Sequence, residues 1–197
     1  MKKRVLSLML VLLMTLTLIP LESLAEAAAA SGICGSKGDN LTWALDKENG
    51  VLKISGQGDM ADYSEDSAPW DNKRESLTSV IIKQGVTGIG AGAFCLCAAL
   101  SGVTLPDGLK RIGDGAFGGC ESLPELAIPS SVETIGSGAF SLCTKLKKAE
   151  LSQNLTELPD SLFEGCTEPA ALVPVLAAVA EPCRAFIAGV PDLLYVY

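Results

Sequence analysis

Residue types that carry most enzyme chemistry are sparse in this chain of 197 residues. It contains no histidine, which removes the Ser-His-Asp and Cys-His arrangements of nucleophilic catalysis and the paired-histidine motif of zinc proteases. An enzyme with this composition would depend on paired carboxylates or on a Ser-Lys pair. We therefore expect a protein that is not an enzyme, with no catalytic residue and no cofactor.

Acidic side chains are densest in one short segment, at Asp59, Asp62, Glu65 and Asp66. Hard oxygen ligands of this kind suit Ca²⁺. The segment lacks the ordered ligand spacing and the glycine of a calcium-binding loop, however. We interpret it as a solvated loop and expect no metal site.

Cysteine is the other residue type that could do chemistry, and the chain has seven. Four of them recur every 23 residues, at Cys97, Cys120, Cys143 and Cys166. Residues at one repeat position point the same way into successive core layers, so we expect buried thiols that act as small apolar side chains. Cys34, Cys95 and Cys183 lie outside this column, and whether two of them form a disulfide stays open. Zinc at Cys95-x-Cys97 is not expected, since the chain has no C-x-x-C pair to complete the site and no histidine.

The same spacing governs the apolar residues. A phenylalanine stands three residues before each cysteine of the column, at Phe94, Phe117, Phe140 and Phe163. One unit reads L-x-x-V-x-L-P-x-x-V-x-x-I-G-x-G-A-F-x-x-C. A period of about 20 to 29 residues with such positions is typical of leucine-rich repeats, in which no unit can bury its apolar side chains alone. Stacked units that share one core are therefore required.

Within a unit, the segment L-x-x-V-x-L alternates apolar and other residues, as at 100–105 and 123–128, and predicts a short strand with one buried face. Successive strands are expected to form a parallel ladder. Pro106 and Pro129 follow two of them, which suits a residue that cannot donate to a ladder. The glycines of I-G-x-G-A-F are expected to turn the backbone as the next Phe enters the core, not to bind a nucleotide. The predicted fold class is a mainly β repeat solenoid with units of 23 residues.

Residues 31–76, ahead of the four repeats at 77–167, predict an N-terminal β cap. Leu41, Trp43 and Leu45 alternate with polar or small residues, 46–50 reads as a turn, and 51–55 returns as a second strand. The resulting β-hairpin would cover the open edge of the first coil, which would otherwise invite aggregation.

Two sets of motifs resemble a known family. The sequences L-P at 105–106 and I-G-D-G-A-F-G-G-C at 112–120 resemble the BspA-like leucine-rich repeats of bacterial surface and secreted proteins, over residues 77 to 167. The sequences L-T-W-A-L at 41–45, G-V-L-K-I-S-G-Q-G at 50–58 and P-W at 69–70 look like the cap that precedes such repeats. The resemblance implies a binding scaffold for adhesion to host proteins or other cells. It implies no catalytic residue.

The N-terminus has the three regions of a secretory signal peptide. Lys2, Lys3 and Arg4 precede an apolar run at 5–19, and Ser23-Leu24-Ala25 offers a cleavage site. We predict a signal peptide at 1–25, with cleavage as late as residue 30, and a secreted or surface-associated protein without a transmembrane segment in the mature chain. Cleavage after Ala25 removes three bases and one acid and changes the net charge from −8 to −10. This charge disfavours nucleic acids and anionic membranes as partners.

The outward positions of the predicted strands form the candidate binding surface, because parallel strands of a solenoid display them side by side. These positions are Ser79, Ile81, Lys83, Thr104, Glu125, Ala127, Lys148 and Glu150. We expect a monomer that binds an unidentified protein or cell-surface ligand, with a plain solvated sheet face as the alternative. A carbohydrate-binding accessory module would predict aromatic side chains here, and none is present.

The repeat pattern is interrupted after Thr167. Pro169 stands where a leucine is expected, and no further A-F-x-x-C follows. One interpretation of 168–197 is a divergent C-terminal cap. In it, four residues form the apolar side of a short helix: Leu172, Val175, Leu176 and Val179. The alternative is a frame-shifted segment, which would make the chain a truncated fragment of a longer repeat protein without a function of its own.

Overall fold

The computed structural model of the chain describes residues 30–64, 67–167 and 171–173. These residues form the strands β1 (Ala30–Gly35), β2 (Gly38–Asp46), β3 (Val51–Gly56), β4 (Gly58–Asp59), β5 (Ser79–Ile82), β6 (Val86–Ile89), β7 (Gly102–Thr104), β8 (Arg111–Ile112), β9 (Glu125–Ala127), β10 (Thr134–Ile135), β11 (Lys148–Glu150) and β12 (Ala171–Val173), with one 3-10 helix, η1 (Asp71–Ser76). The predicted signal peptide, Glu65, Asp66 and Cys183 lie outside the described residues.

The first strands form the predicted cap. β2 and β3 pair as an antiparallel hairpin with Trp43 opposite Ile54, and β3 then pairs in parallel with β5. The hairpin thus supplies the first rung of the ladder, and its prediction is confirmed. β1 adds a third strand, antiparallel to β2, that the sequence did not predict.

Each of the first three repeats contributes two strands rather than one. The predicted parallel ladder is confirmed for β5 with β7 and for β9 with β11. A second parallel sheet, in the order β10-β8-β6-β4, runs along a different side of the stack. Its strands are so short that their alternation is barely visible in the sequence, which explains why only one strand per unit was predicted.

The third side of each coil is a turn that is bonded to its neighbour. The N–H groups of Gly92, Phe94 and Leu96 donate to carbonyl oxygens of the next coil, at distances of 2.7 to 2.9 Å. The same pattern joins Phe117 to the coil after it. Backbone hydrogen bonds therefore connect successive coils on all three sides, although this side is not a sheet.

The two glycines of I-G-x-G serve different purposes. A Cβ on Gly113 would overlap the backbone nitrogen of Ala91, so this position permits close contact between coils. Gly115 has a φ of +57° with no atom within 4 Å of an added Cβ. The second position needs glycine for its left-handed backbone, and the first needs it for space.

A column of aromatic rings runs through the core. Phe94, Phe117, Phe140 and Phe163 stack with centroid distances of 5.2 to 5.8 Å. Trp70 begins the column, 5.5 Å from Phe94, and its indole N–H donates to the Ala93 carbonyl at 2.8 Å. The cap and the repeats consequently share one hydrophobic core.

The chain returns to the repeat register after the interruption at Thr167. β12 pairs in parallel with β11, Lys148 opposite Ala171, which is an offset of 23 residues. The expected loss of register is therefore wrong at 171–173, and Leu172 lies in a strand rather than in a helix. The physical reason is that the edge of β11 offers unpaired backbone groups to any segment that can extend beside it. Val175, Leu176 and Val179 lie outside the described residues.

Candidate interaction surface

The predicted outward residues lie on one side of the strands, alternating with core residues. Val80 and Ile82 are buried between them. Ser79, Ile81, Lys148 and Glu150 are half-buried, whereas Lys83, Thr104, Glu125 and Ala127 are exposed. We call this surface, from β1 to β11, the outer strand face.

Strand pairing brings these residues together in two groups. In the first, Ser79 lies opposite Gly102 and Ile81 opposite Thr104. In the second, Glu125 lies opposite Lys148 and Ala127 opposite Glu150. β7 is the edge strand of one sheet and β9 is the edge strand of another. The two groups therefore lie on the same side of the stack but belong to separate sheets.

The cap extends the outer strand face beyond the residues that the sequence indicated. Lys53 lies between Ala44 and Ile81 in the strand register. In the neighbouring row, Ile33 lies opposite Thr42, and its side chain is 57% exposed. The alternation at 41–45 and 51–55 could have predicted Thr42 and Lys53 as outward residues, since both stand between buried residues. The outward position of Ile33 could not be predicted in this way, because β1 was not predicted.

Charge differs between the two groups on this face. The Lys148 ammonium lies 2.5 Å from Glu150 Oε1, and this contact raises the pKa of Lys148, with a smaller contribution from Glu125. The charges of the second group thus compensate one another. The first group exposes Lys53 and Lys83 beside the apolar Ile81. Its local charge is positive on a chain whose net charge is negative.

The second sheet presents polar side chains that bind one another. Lys110 Nζ lies 2.6 Å from Glu133 Oε1, and the Thr87 hydroxyl donates to Asp59 at 2.6 Å. Exposed ion pairs of this type contribute little to stability. They leave fewer charges for a partner, which makes this sheet a poorer candidate surface.

Asp59 and Asp62, from the acidic segment, hold the cap against the first repeats. Asp62 Oδ1 accepts the Ala91 N–H at 2.8 Å and lies 3.3 Å from Arg111 Nη2. The pKa of Asp62 is lowered, first by the hydrogen bond from Ala91 and then by Arg111. Within the described ranges, no three His, Cys, Asp or Glu side chains are grouped in a way that could hold a metal ion.

The cysteine column forms a second internal ladder. The thiols of Cys120, Cys143 and Cys166 donate to the carbonyl oxygens of Phe94, Phe117 and Phe140, each one coil earlier, at 3.2 to 3.3 Å.

Burial raises the pKa of these thiols. It reaches about 12 for Cys97 and Cys143, and in the cap it reaches about 11 for Cys34. A thiol that stays protonated at neutral pH is a poor nucleophile and a poor metal ligand. The column therefore serves packing and not chemistry. Cys34 forms no disulfide with any described residue, and Cys95 is half-buried beside the column.

Comparison with known families decides what this architecture is. A model of the BspA type leucine-rich repeat region matches residues 71–172 in six copies. The chain belongs to the BspA type leucine-rich repeat family. The resemblance of its motifs to BspA-like repeats is thereby confirmed. Proteins of this family are repeat modules for protein interaction.

Several solved structures are similar to this family member. A leucine-rich repeat protein from Eubacterium ventriosum is 26% identical with a TM-score of 0.50, over 64% of this chain and 39% of that chain. One from T. pallidum is 22% identical with a TM-score of 0.43, over 78% and 96%. A leucine-rich cell surface protein from Faecalibacterium prausnitzii is 22% identical with a TM-score of 0.41, over 73% and 47%. The chain spans about two fifths of the E. ventriosum protein. No curated protein matches it.

Among the described residues, none of the helical segments has the length and hydrophobicity that a membrane crossing requires.

Proposed function

We propose that this protein is a secreted or cell-surface adhesion module without catalytic activity, which binds a partner protein through the outer strand face. Membership of the BspA type repeat family supports the interaction role. The charged leader at residues 2–4 and the apolar run after it support export.

The observation that carries the proposal is the first group of the outer strand face. Ile81 is an apolar side chain at the surface, between Lys53 and Thr104 in register, with Lys83 nearby. An apolar centre with a polar rim is the usual composition of a protein interface. The two lysines favour a partner that presents acidic groups around an apolar patch.

The contacts that each side makes within the molecule distinguish this face from the other two sides of the coil. The second sheet uses its charges in pairs with one another, such as Lys110 with Glu133. The third side consists of turns whose backbone groups bond the next coil. The outer strand face thus places charged and apolar groups, Lys53, Lys83 and Ile81, side by side, whereas the turn side exposes the apolar Leu96 and Leu142.

A binding assay with purified extracellular-matrix proteins tests the proposal. The chain from residue 26 is applied to a panel of such proteins, each immobilised on a sensor. The variant Ile81→Glu/Thr104→Glu adds two negative charges to the outer strand face. The control Thr134→Glu/Thr156→Glu adds the same charges to exposed positions on the side of the second sheet. We expect the first variant to weaken binding by about tenfold or more, the effect of about 1.4 kcal/mol, and the control to bind as the parent does.

Two results would contradict the proposal. Equal binding by both variants would place the site elsewhere on the molecule. Absence of binding to every member of the panel would argue against adhesion to matrix proteins. Circular dichroism of both variants verifies that they remain folded.

A further inference from the structure

One junction between successive coils lacks the strand pairing that the outer strand face shows elsewhere. There β5 pairs with β7, and β9 pairs with β11, but β7 does not pair with β9. Most Cα atoms of β7 lie more than 8 Å from those of β9, whereas paired strands lie about 4.8 Å apart. A gap therefore separates these two strands, and we call it the β7–β9 slot.

Pro124, just before β9, explains why the ladder stops here. The same position is held by Ser101 in the coil before it and by Lys147 in the coil after it. Each of these donates its N–H to the preceding coil, to the carbonyl oxygens of Thr78 and Pro124, at 3.0 and 2.8 Å. Proline has no N–H to donate. The Ser101 carbonyl consequently accepts no backbone hydrogen bond from the part of the chain that the structure describes.

The slot is confined to one side of the stack. On the second sheet, the same two coils remain paired, with Thr134 opposite Arg111. On the turn side, the Phe117 N–H donates to the Ala139 carbonyl oxygen at 2.9 Å. Because both other sides are bonded, the slot is an opening in the outer strand face and not a separation of the whole stack.

Backbone groups line both walls of the slot. In the coil after the slot, Ile128 donates its N–H to the Glu150 carbonyl oxygen at 2.9 Å. The corresponding N–H of Leu105 has no acceptor among the described residues. On the opposite wall, the N–H of Glu125 lacks the bond that its counterpart Gly102 makes to the coil before it. Donors and acceptors on both edges of an extended opening match the backbone of an extended peptide.

Inward-facing apolar side chains are partly uncovered beneath the slot. Val103 and Leu105 are half-buried. Their counterparts one coil earlier, Val80 and Ile82, are buried. The missing cover of a neighbouring strand accounts for this difference. Aliphatic side chains that point inward from an inserted strand would cover both residues.

The strand residues at the rim of the slot carry a net negative charge. Gly102 and Thr104, on the β7 side, are uncharged. On the other side, Lys148 forms an ion pair with Glu150, and Glu125 is exposed opposite Lys148. Two carboxylates thus stand against one ammonium group. A basic side chain on the outward side of an inserted strand complements this rim.

From these observations we infer that the β7–β9 slot binds an extended segment of the partner protein as an inserted β-strand. Its aliphatic side chains point inward onto Val103 and Leu105, and a basic side chain points outward beside Glu125. The inserted strand joins the two sheets of the outer strand face into one. This inference rests on the proposed function, because the slot lies within the outer strand face, and it names the chemistry of the partner segment.

Amide hydrogen exchange, followed by NMR on the chain from residue 26, tests this inference with a defined peptide. The probe is acetyl-Val-Lys-Val-Thr-Val-amide, which alternates aliphatic and polar side chains. In the free protein, the N–H groups of Leu105 and Glu125 should exchange about a hundredfold faster than that of Ile128, which is hydrogen-bonded. Millimolar peptide should slow both by about tenfold or more, because their N–H groups then have acceptors.

A control peptide and two protein variants are matched to this probe. Acetyl-Val-Lys-Pro-Thr-Val-amide lacks an N–H at its centre and should leave the exchange unchanged. Pro124→Lys restores the N–H that Lys147 has in the next coil. It should slow the exchange of Leu105 without peptide and abolish the response to peptide. Pro69→Thr changes an exposed proline outside the slot and should respond as the parent does.

Pro124→Thr provides a second variant if Pro124→Lys does not fold, since Thr78 stands at the same position two coils earlier. The inference is overturned if Leu105 and Glu125 are as protected as Ile128 in the free protein, because no slot then exists. It is also overturned if the peptide leaves their exchange unchanged, or if Pro124→Lys responds to the peptide as the parent does.

A dependence on protein concentration would overturn the inference in another way. Protection of Leu105 that rises with protein concentration, without peptide, would assign the slot to a second copy of the chain. The titration uses no matrix protein, so its failure is distinguishable from failure of the proposed function. In that case the assay with Ile81→Glu/Thr104→Glu still decides whether the outer strand face binds a partner.

Discussion

The cysteine column shows how a reactive residue type becomes inert when a repeat places it in the core. Each thiol of Cys120, Cys143 and Cys166 donates to a Phe carbonyl oxygen one coil earlier. Burial is the main cause of their raised pKa values. An exported protein with several cysteines would ordinarily be expected to form disulfides. Here the spacing of 23 residues, not the number of cysteines, indicates the role.

The raised thiol pKa values predict loss of stability at alkaline pH. Unfolded thiols lose their protons near the ordinary pKa of 9.0, whereas folded Cys97 and Cys143 keep theirs up to a pKa of about 12. Between these values the unfolded state binds fewer protons, so the free energy of unfolding falls as pH rises. Tm should be constant from pH 7 to 8 and should decrease above about pH 9.

A triple variant isolates this effect from other alkaline contributions. Cys97→Ala/Cys120→Ala/Cys143→Ala should lose less Tm between pH 8 and pH 10.5 than the parent does. Burial also raises the pKa of Tyr63, and that contribution remains in both proteins. An identical decrease of Tm in parent and variant would show that the thiols do not contribute.

Two alanine substitutions separate the two reasons for glycine in I-G-x-G. Gly113→Ala places a methyl group against the backbone of Ala91 and should cost about 3 kcal/mol. Gly115→Ala meets open space at a φ of +57° and should cost about 1 to 2 kcal/mol. Urea unfolding at equilibrium measures both. A larger loss for Gly115→Ala would contradict the assignment of close contact to Gly113.

At the scale of the element, the single repeat motif hides an alternation between successive coils. Leu96 and Leu142 adopt φ values of 59° and 57°, and the same position in the coil after each is a glycine, Gly119 and Gly165. The Cδ2 atom of Leu96 lies 2.8 Å from the place of a Cβ on Gly119, and Leu142 covers Gly165 in the same way. A leucine at one coil therefore requires a glycine at the next. The sequence shows this pairing only as a period of two repeats.

The cap is joined to the repeats by a ring rather than by strands alone. Trp70 stacks on Phe94 and donates its indole N–H to Ala93. It precedes Phe94 by 24 residues, one more than the repeat period. For that reason the sequence placed Trp70 in the cap and missed its place at the start of the ring column.

Substitutions at Trp70 test this junction. Trp70→Phe keeps a ring but leaves the Ala93 carbonyl without its donor, which should cost about 1 to 3 kcal/mol. Trp70→Ala also loses the ring and should cost about 3 to 5 kcal/mol. Urea unfolding followed by circular dichroism gives both values. Equal losses for the two variants would show that the indole ring does not stack productively on Phe94.

At the scale of the whole molecule, the sequence predicted the elements whose patterns are long or recur, and it missed the short ones. The 23-residue period predicted the solenoid and its parallel ladder, and the alternation at 41–45 and 51–55 predicted the hairpin of the cap. These patterns did not predict β6, β8 and β10, which are two to four residues long. Nor did they predict β1 or the return of β12 to register, since both depend on the free edge of a strand elsewhere in the fold.

The candidate surface was only partly accessible to sequence reasoning. Ile81 and Thr104 follow directly from strand alternation. Ile33 and Lys53 join them only through pairing of the cap with β5. The ion pair between Lys148 and Glu150 could be recognised only from the side-chain positions in the structure. Because this pair neutralises the second group, the centre of the proposed site lies in the first group, near the cap.

Methyl NMR of the isoleucine- and leucine-labelled chain, titrated with a matrix protein that it binds, tests the central claim most directly. Four methyl-bearing side chains at the surface, three exposed and one half-buried, report on two sides of the molecule. Ile33, 57% exposed, and Ile81 lie on the outer strand face, while Leu96 and Leu142, 45% and 53% exposed, lie on the turn side. The account predicts that the signals of Ile33 and Ile81 shift or broaden while those of Leu96 and Leu142 do not. The opposite pattern, with Leu96 and Leu142 affected and Ile81 unchanged, would contradict it.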